Sequence, residues 1–336
     1  MKNLLYIGNQ LSQKDKTVTT IDTLSGLLRK EGYHVVTASS KINKLYRLFD
    51  MLWHIVKYRK RVDKVLIDTY STKNFYFAYL CSQLCRIFNL KYIPILHGGN
   101  LPNRLKQSSK LSQSIFNNAY INIAPSSYLK SKFEALGYSN LKVIPNSIQI
   151  INYPFKERVI ETPKLLWVRS FSKIYNPLLA IDILKALKKE GVKAELCMVG
   201  PDNDGSLLKT KTYAKKHDVN VNFTGKLTKQ EWIKLSQAYN IFINTTNFDN
   251  TPVSIIEAMA LGLPVISTNV GGLSFLIDHN STGILLKPNN TDVFVNEIKK
   301  IISNSNQVSQ MVLNARKKVQ QFDWQVVKHK WNDVLQ

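Results

Sequence analysis

The 336-residue chain is poor in cysteine, in long apolar runs and in acidic residues. Its three Cys are an odd number, and Cys81 and Cys85 lie one helical turn apart in an apolar segment. That is no disulfide framework, and a reducing compartment is expected. Polar residues break every apolar stretch well before 18 residues, which excludes a transmembrane helix. The opening run Leu4-Leu5-Tyr6-Ile7 is too short for a signal peptide and ends at Gly8, so the expectation is a cytoplasmic polypeptide. No G-x-G-x-x-G occurs, which argues against a dinucleotide oxidoreductase. No short tandem repeat and no recognisable nucleic-acid-binding motif is present, so no nucleic-acid partner is expected. Acidic residues number 23 against 46 Lys and Arg, a net charge of +23. The imbalance is concentrated in residues 1–150, with 22 basic against 7 acidic side chains. That half is expected to meet something anionic, whether nucleic acid, lipid headgroups or a phosphorylated substrate, and charge alone does not choose among them.

Apolar residues make up 44% and charged residues 21%, the profile of a chain with a real core. The length fits two domains. Short β-branched or apolar runs at 3–8, 34–38, 64–69, 91–97, 120–124 and 141–145 alternate with helical patterns at 18–31, 44–60, 73–88, 110–117 and 127–136. The rhythm restarts with strands at 164–169, 194–199, 220–224, 240–245, 264–268 and 283–287. Helices are expected at 177–190, 206–216, 229–237, 253–261, 291–303, 306–321 and 323–335. Such alternation predicts an α/β chain with parallel sheets covered on both faces. The expected division is a domain over 1–150, a linker over 151–163, a second domain over 164–320 and a C-terminal helix over 321–336 that packs back on the first domain. Two doubly wound, Rossmann-like domains would bind ligands at the C-terminal ends of their strands.

The densest motif is 247–273, NFDNTPVSIIEAMALGLPVISTNVGGL. A strand runs through a polar loop into a helix expected to start near Pro252, where proline is tolerated. Backbone N–H groups of Thr251, Val253 and Ser254 at such a terminus suit phosphate or sugar oxygens. Glu257 sits one turn inside and is suited to vicinal hydroxyls. Gly262 ends the helix, Pro264 opens the next strand, and Gly271-Gly272 offers a close backbone approach.

From Glu257 through Gly272 this sequence resembles the family-4 retaining glycosyltransferases of GT-B fold, whose pattern is Glu, seven residues, Glu, Ala-Met-Ala-x-Gly-x-Pro-Val and a Gly-Gly turn. The resemblance continues through Val199-Gly200-Pro201, Phe223-Thr224-Gly225, Pro145-Asn146, His97-Gly98-Gly99 and Phe322-Asp323-Trp324. It implies two domains facing across a cleft, the C-terminal one binding a nucleotide-sugar and the N-terminal one an acceptor. It implies that Glu257 holds the ribose. The family's first Glu falls on Asp249, shorter by one methylene, which takes the sugar contact or caps the following turn. Arg169 and Lys173 are assigned to the leaving diphosphate, with Lys173 offset from the family spacing, so that a solvated loop charge is its other reading. His97 is assigned to the transferred sugar. The remaining donor contacts are Gly8, Gly200, Lys226, Leu227 and Asn250 with Thr251, Pro252, Val253 and Ser254. Acceptor contacts are expected from the loops 9–20 and 100–110, with Asn100 and Arg104 as candidates.

A transferase of this kind needs no cofactor beyond its nucleotide-sugar co-substrate, and no metal is expected. Asp202-Asn203-Asp204 reads as helix capping rather than a metal loop. The lysine- and arginine-rich, aromatic segment 41–64 has two readings. One is a Rossmann helix with Leu45, Leu48, Leu52 and Ile55 on its core face. The other is a docking surface for anionic membrane, widened by Tyr46, Phe49 and Trp53, at the inner face of the cytoplasmic membrane. The expected activity is hexosyl transfer to a glycan or lipid-linked acceptor in cell-surface polysaccharide or lipopolysaccharide-type biosynthesis. Two other classes stay open: a GT-B-like sugar-nucleotide epimerase and a non-catalytic polyanion-binding protein.

Overall fold

The computed structural model describes residues 2–11 and 19–336. The chain divides into two compact units. The first runs to Asn146 and takes back Trp324–Gln336; the second is Ser147–Asp323.

The first unit holds a six-stranded sheet in the order β2-β1-β3-β4-β5-β6. Its strands are β1 (Asn3–Ile7), β2 (His34–Ala38), β3 (Lys64–Tyr70), β4 (Tyr92–His97), β5 (Asn122–Ala124) and β6 (Leu141–Val143). Every neighbouring pair is parallel. β4 is buried at all six positions, as a strand with helices on both faces must be. On one face α1 (Thr20–Lys30) packs through Ile21, Leu24 and Leu28. On the other, α2 (Lys44–Tyr58) contributes Met51 and Ile55, and α3 (Asn74–Ile87) contributes Ala78, Cys81 and Cys85. Both cysteines are free thiols, and burial pushes Cys85 up to about 12.

The second unit repeats the plan with the order β12-β11-β10-β7-β8-β9, again all parallel. Its strands are β7 (Lys164–Val168), β8 (Glu195–Val199), β9 (Asn222–Gly225), β10 (Ile241–Asn244), β11 (Val265–Thr268) and β12 (Ile284–Leu286). α7 (Pro177–Lys189) and α12 (Thr291–Ser303) cover one face. α10 (Val253–Ala260) and α13 (Ser305–Val319) cover the other. Helix starts are set locally. In α9 (Lys229–Ser236), Thr228 and Glu231 form a reciprocal capping box, with Thr228 N–H donating to Glu231 Oε2 at 2.7 Å. α12 is capped by Asn290 Oδ1, which accepts from Val293 N–H at 3.3 Å.

Four expectations need correction. Residues 151–163 are not a separate linker. Tyr153 and Ile160 are buried in the second unit, and Arg158 donates to the carbonyls of Tyr239 and Leu261 at 2.9 and 2.6 Å. Residues 321–323 also belong to the second unit, and the return to the first begins at Trp324. Residues 101–107 form a helix, α4 (Leu101–Gln107), within the stretch read as a loop; α5 (Ser109–Phe116) and α6 (Ser127–Glu134) follow. Finally, the buried stripe of α2 runs through Arg47, Met51 and Ile55, while Leu45 is exposed. Arg47 tolerates burial because its guanidinium donates to Lys41 O, Ile42 O and Asn9 Oδ1 at 2.9, 2.7 and 2.8 Å. A stripe read from apolar residues alone misses a core position held by a hydrogen-bonded guanidinium.

The last helix, α14 (Trp324–Leu335), buries Trp324, Val327, Trp331, Val334 and Leu335 against Leu4, Ile21 and Leu28. Trp324 Nε1–H donates to Glu31 Oε1 at 3.0 Å, and Lys64 Nζ donates to Val334 O at 2.8 Å. A lysine at the carbonyl end of a helix also meets the partial negative charge of its dipole.

Candidate active site

The candidate residues form one set in each unit. In the second unit the set gathers at the C-terminal ends of β7, β8 and β10. Arg169 directly follows β7, and its N–H donates to Val199 O at 3.0 Å. Gly200 makes that approach possible: a Cβ there would lie 1.8 Å from Arg169 O. Gly200 N–H donates in turn to Gly225 O at 2.8 Å, which brings the loop carrying Lys226 and Leu227 to the same end. Lys226 is exposed, and Leu227 packs on the core beneath α10.

The Arg169 guanidinium pairs with Asp249 Oδ2 and lies 4.0 Å from the centre of the Tyr175 ring. Both partners are largely shielded, at 15% and 16% side-chain exposure, so the pair is screened less than a surface one. Arg169 Nε is buried with no hydrogen-bond partner among the described residues. Asp249 Oδ1 accepts from Asn250 N–H at 2.8 Å. One Asp249 oxygen thus meets the next residue's backbone, while the other holds the arginine. The Gly-Gly turn is explained by the same loop: a Cβ on Gly271 would lie 2.0 Å from Asp249 O, and one on Gly272 2.4 Å from Asn250 O.

The motif helix α10 begins at Val253, with Pro252 as its cap rather than its first residue. Asn250, Thr251 and Pro252 are buried ahead of it. The first-turn N–H groups of Val253 and Ser254 have no acceptor within the helix by its geometry. Ser254 Oγ is likewise buried with no partner among the described residues. Glu257 is 3% exposed, and its Oε1 accepts from Tyr153 O–H at 2.7 Å and pairs with Lys229 Nζ. Burial, reinforced by Glu257, raises the Tyr153 phenol. Sequence reasoning missed both partners. Tyr153 lay in the stretch read as linker, and Lys229 was one more lysine in a helix start; no spacing links either to position 257.

Lys173 is exposed on a short 3₁₀ turn, Lys173–Tyr175. Its N–H donates to Asp204 Oδ2 at 3.1 Å, and Ser172 Oγ donates to the same oxygen at 2.9 Å. Asp202 Oδ1 accepts from Gly205 N–H and Leu207 N–H at 3.1 and 3.2 Å, at the start of α8 (Ser206–Lys216). Asp202 and Asp204 therefore tie a loop to a helix start. Hydrogen bonds from the Ser206 hydroxyl, then Lys173 N–H, then other donors hold Asp204 down at about 2.

In the first unit His97 ends β4 and is buried, 4.8 Å from the Tyr70 ring centre in a stacked arrangement. His97 Nε2 lies 2.7 Å from Asp68 Oδ1. Gly8 departs from expectation. Its N–H donates to Ala38 O at 2.7 Å and its carbonyl accepts from Ser39 N–H at 2.8 Å, so its backbone extends the pairing of β1 with β2. Its N–H and its carbonyl are both occupied. The two acceptor candidates are engaged locally: Asn100 Oδ1 accepts from Asn103 Nδ2 at 2.7 Å, and Arg104 Nε donates to Ser71 O at 2.8 Å with Phe75 5.5 Å away. Of the acceptor loop 9–20, residues 12–18 lie outside the described residues.

Two all-parallel six-stranded α/β units, the second carrying this motif loop at its strand ends, define the GT-B fold. The chain belongs to the glycosyl transferases group 1, whose family profile matches residues 150–318, half of the sequence. AmsK of Erwinia amylovora, an amylovoran biosynthesis glycosyltransferase, is 22% identical over 264 residues, 75% of this chain and 65% of AmsK. The chain thus spans just under two thirds of that relative, and less of others. Sucrose-phosphate synthase of Thermosynechococcus elongatus superposes with a TM-score of 0.83 at 18% identity, over 99% of this chain and 98% of that one. HepE of Anabaena, solved with UDP-glucose, gives 0.79 at 17% identity over 100% and 99%.

Proposed function

We propose that the protein is a retaining hexosyltransferase that moves a sugar from a nucleotide-sugar to a glycan or lipid-linked acceptor. Its setting is cell-surface polysaccharide or lipopolysaccharide-type biosynthesis, as the name of its relative AmsK suggests. The observation that carries the reading is the Arg169–Asp249 pair beside the first turn of α10, with Glu257 buried one turn on. Two buried polar atoms there, Arg169 Nε and Ser254 Oγ, have no described partner, as expected of donors placed to meet an anion. Arg169, Lys173 and the α10 N–H groups oppose the charge of the leaving diphosphate without a metal. Asp249 and His97 orient the sugar, and Glu257 takes the ribose hydroxyls. No side chain is assigned as a covalent nucleophile. The bond from the sugar C1 to the diphosphate oxygen breaks as the acceptor hydroxyl oxygen attacks from the same face, and its proton passes to the departing phosphate oxygen. The motif running from Glu257 to Gly272 supports the finer family-4 assignment.

The test is a thermal-shift panel of UDP, GDP, ADP, CMP and NAD with and without Mg²⁺, UDP being the nucleotide seen with HepE. Stabilisation by one nucleoside diphosphate, independent of metal, is expected. Glu257→Ala removes a charged acceptor and should weaken that nucleotide about 10- to 100-fold. Unchanged affinity removes Glu257 from the ribose role.

A cytoplasmic chain resting on the inner face of the membrane completes the proposal. Ile42, Leu45, Tyr46, Phe49 and Trp53 are 61–71% exposed along the outer side of α2 and the turn before it. They follow helical spacing, and an open concavity of about 450 Å³ lies among Ile42, Tyr46, Phe49 and Trp53. Lys41 precedes this stripe and Lys44 lies within it; Lys57, Arg59, Lys60 and Arg61 follow it. Apolar side chains between clustered cations suit an anionic bilayer surface. The charge on the chain also opposes pairing this face with a second copy.

A further inference from the structure

We infer that Asp68 is a positioning residue of the transfer reaction, acting through His97; this rests on the proposed role of His97 at the transferred sugar. Asp68 lies near the end of β3, between β1 and β4 in the sheet, and is 5% exposed. Its Oδ1 takes two bonds: the Tyr6 hydroxyl donates at 2.9 Å, and His97 Nε2 lies at 2.7 Å. A carboxylate only accepts, so the second bond places a proton on Nε2 and leaves Nδ1 for another partner. The stack on Tyr70, with rings 24° from parallel, sets the plane of the imidazole. The carboxylate sets its rotation and its tautomer within that plane.

Packing alone does not account for this carboxylate. Asp68 Oδ2 is buried with no hydrogen-bond partner among the described residues, so the group meets a desolvation cost that a neutral side chain of similar size would avoid. The neighbouring chain is shaped around it. A Cβ at Gly8 would lie 2.4 Å from Oδ2, so the first βα turn admits only glycine while Asp68 keeps its place. Tyr6, Asp68 and His97 stand on β1, β3 and β4, three adjacent strands, near their C-terminal ends, with Gly8 just past the end of β1, where parallel sheets place ligands. Burial and then Asp68 keep the Tyr6 hydroxyl well above its ordinary pKa, so it stays a donor to that oxygen. The group is thus a fixed acceptor whose bond to His97 decides which ring nitrogen carries the proton.

The test combines imidazole ¹⁵N spectra with kinetics. In the unchanged protein the neutral His97 ring should carry its proton on Nε2; a ring protonated on Nδ1 overturns the inference and leaves the transferase reading intact. In Asp68→Asn the ring should redistribute toward the Nδ1–H form. Turnover, read as UDP release from UDP-glucose or from the panel donor that binds best, should then fall about 10²-fold in kcat. The donor KM should stay as in the unchanged protein. Asp68→Asn in a His97→Ala background should cost nothing further, since residues acting as a unit are not additive. A full additional loss shows that Asp68 does not act through His97. His97→Ala with full activity overturns both the inference and the sugar role of His97, whereas the nucleotide panel tests the donor site by itself. If Asp68→Asn does not fold, the spectrum of the unchanged protein still decides the tautomer.

Discussion

Single residues at this site are set by what lies against them. Gly8 stands in a first βα turn where the resemblance assigns glycine to the donor phosphates, yet its N–H is used by Ala38 and its missing Cβ is what Asp68 requires. Gly8→Ala should therefore act as an overpacking change, lowering the stability of the first unit by about 1–3 kcal/mol. Urea unfolding should show this while nucleotide affinity, a property assigned to the second unit, is unchanged. Loss of nucleotide affinity instead would return Gly8 to the donor site. Glu257 shows the same dependence on surroundings. The motif marks it, but Tyr153 and Lys229, 104 and 28 residues away in sequence, decide how its carboxylate is held. Buried contacts of that separation leave no local pattern to read.

At the scale of elements, α2 carries two different faces. Its inner face packs through Met51 and Ile55 with the hydrogen-bonded Arg47, and its outer face keeps Phe49 and Trp53 exposed. Phe49→Ser with Trp53→Ser should lower partitioning onto phosphatidylglycerol vesicles about 10²- to 10⁴-fold, since burying each such side chain contributes about 1.5–3 kcal/mol. Reversing Lys57, Arg59, Lys60 and Arg61 should also weaken vesicle binding, by an amount that shrinks in high salt. Turnover on a water-soluble acceptor should be spared in both. Equal vesicle binding by both variants and the unchanged protein would remove α2 as the docking element. A second element-level contact is Asp204, which ties the turn after β7 to α8. Its folded-state pKa of about 2 lies below the ordinary carboxylate value, so its stabilisation is present above the unfolded value, about 3.9, and is lost as pH falls through the folded one. Asp204→Asn should thus be less stable than the unchanged protein at neutral pH, with a gap that narrows from about pH 4 toward pH 2. A gap independent of pH would show that the charge on Asp204 contributes nothing.

For the whole molecule, the chain leaves its first unit after Asn146 and returns at Trp324. The first core is completed by the last thirteen residues, which bring Trp331 against the α1 side of the sheet. Trp331→Ala should destabilise the first unit by about 3–5 kcal/mol. Denaturant unfolding followed by a probe in that unit should show the loss, with nucleotide stabilisation retained. A loss confined to the second unit would contradict the division of the chain.

The alternation of short buried strands with amphipathic helices was enough to predict all twelve strands among the described residues and their parallel sheets, because strand and helix periods are local properties of the chain. The stretch from Asp249 to Gly272 was legible for a related reason: cap, helix, glycine stop and Gly-Gly turn follow one another in the sequence. Tertiary structure decided what depends on distant neighbours. It turned residues 151–163 from linker into part of the second unit, buried Arg47 beside the expected core face, and exposed Leu45. It also joined Arg169 to Asp249 across 80 residues and His97 to Asp68 across 29. Those pairings arise because parallel crossovers bring the ends of separate strands together, and a sequence records the strands but not which side chains meet at their ends.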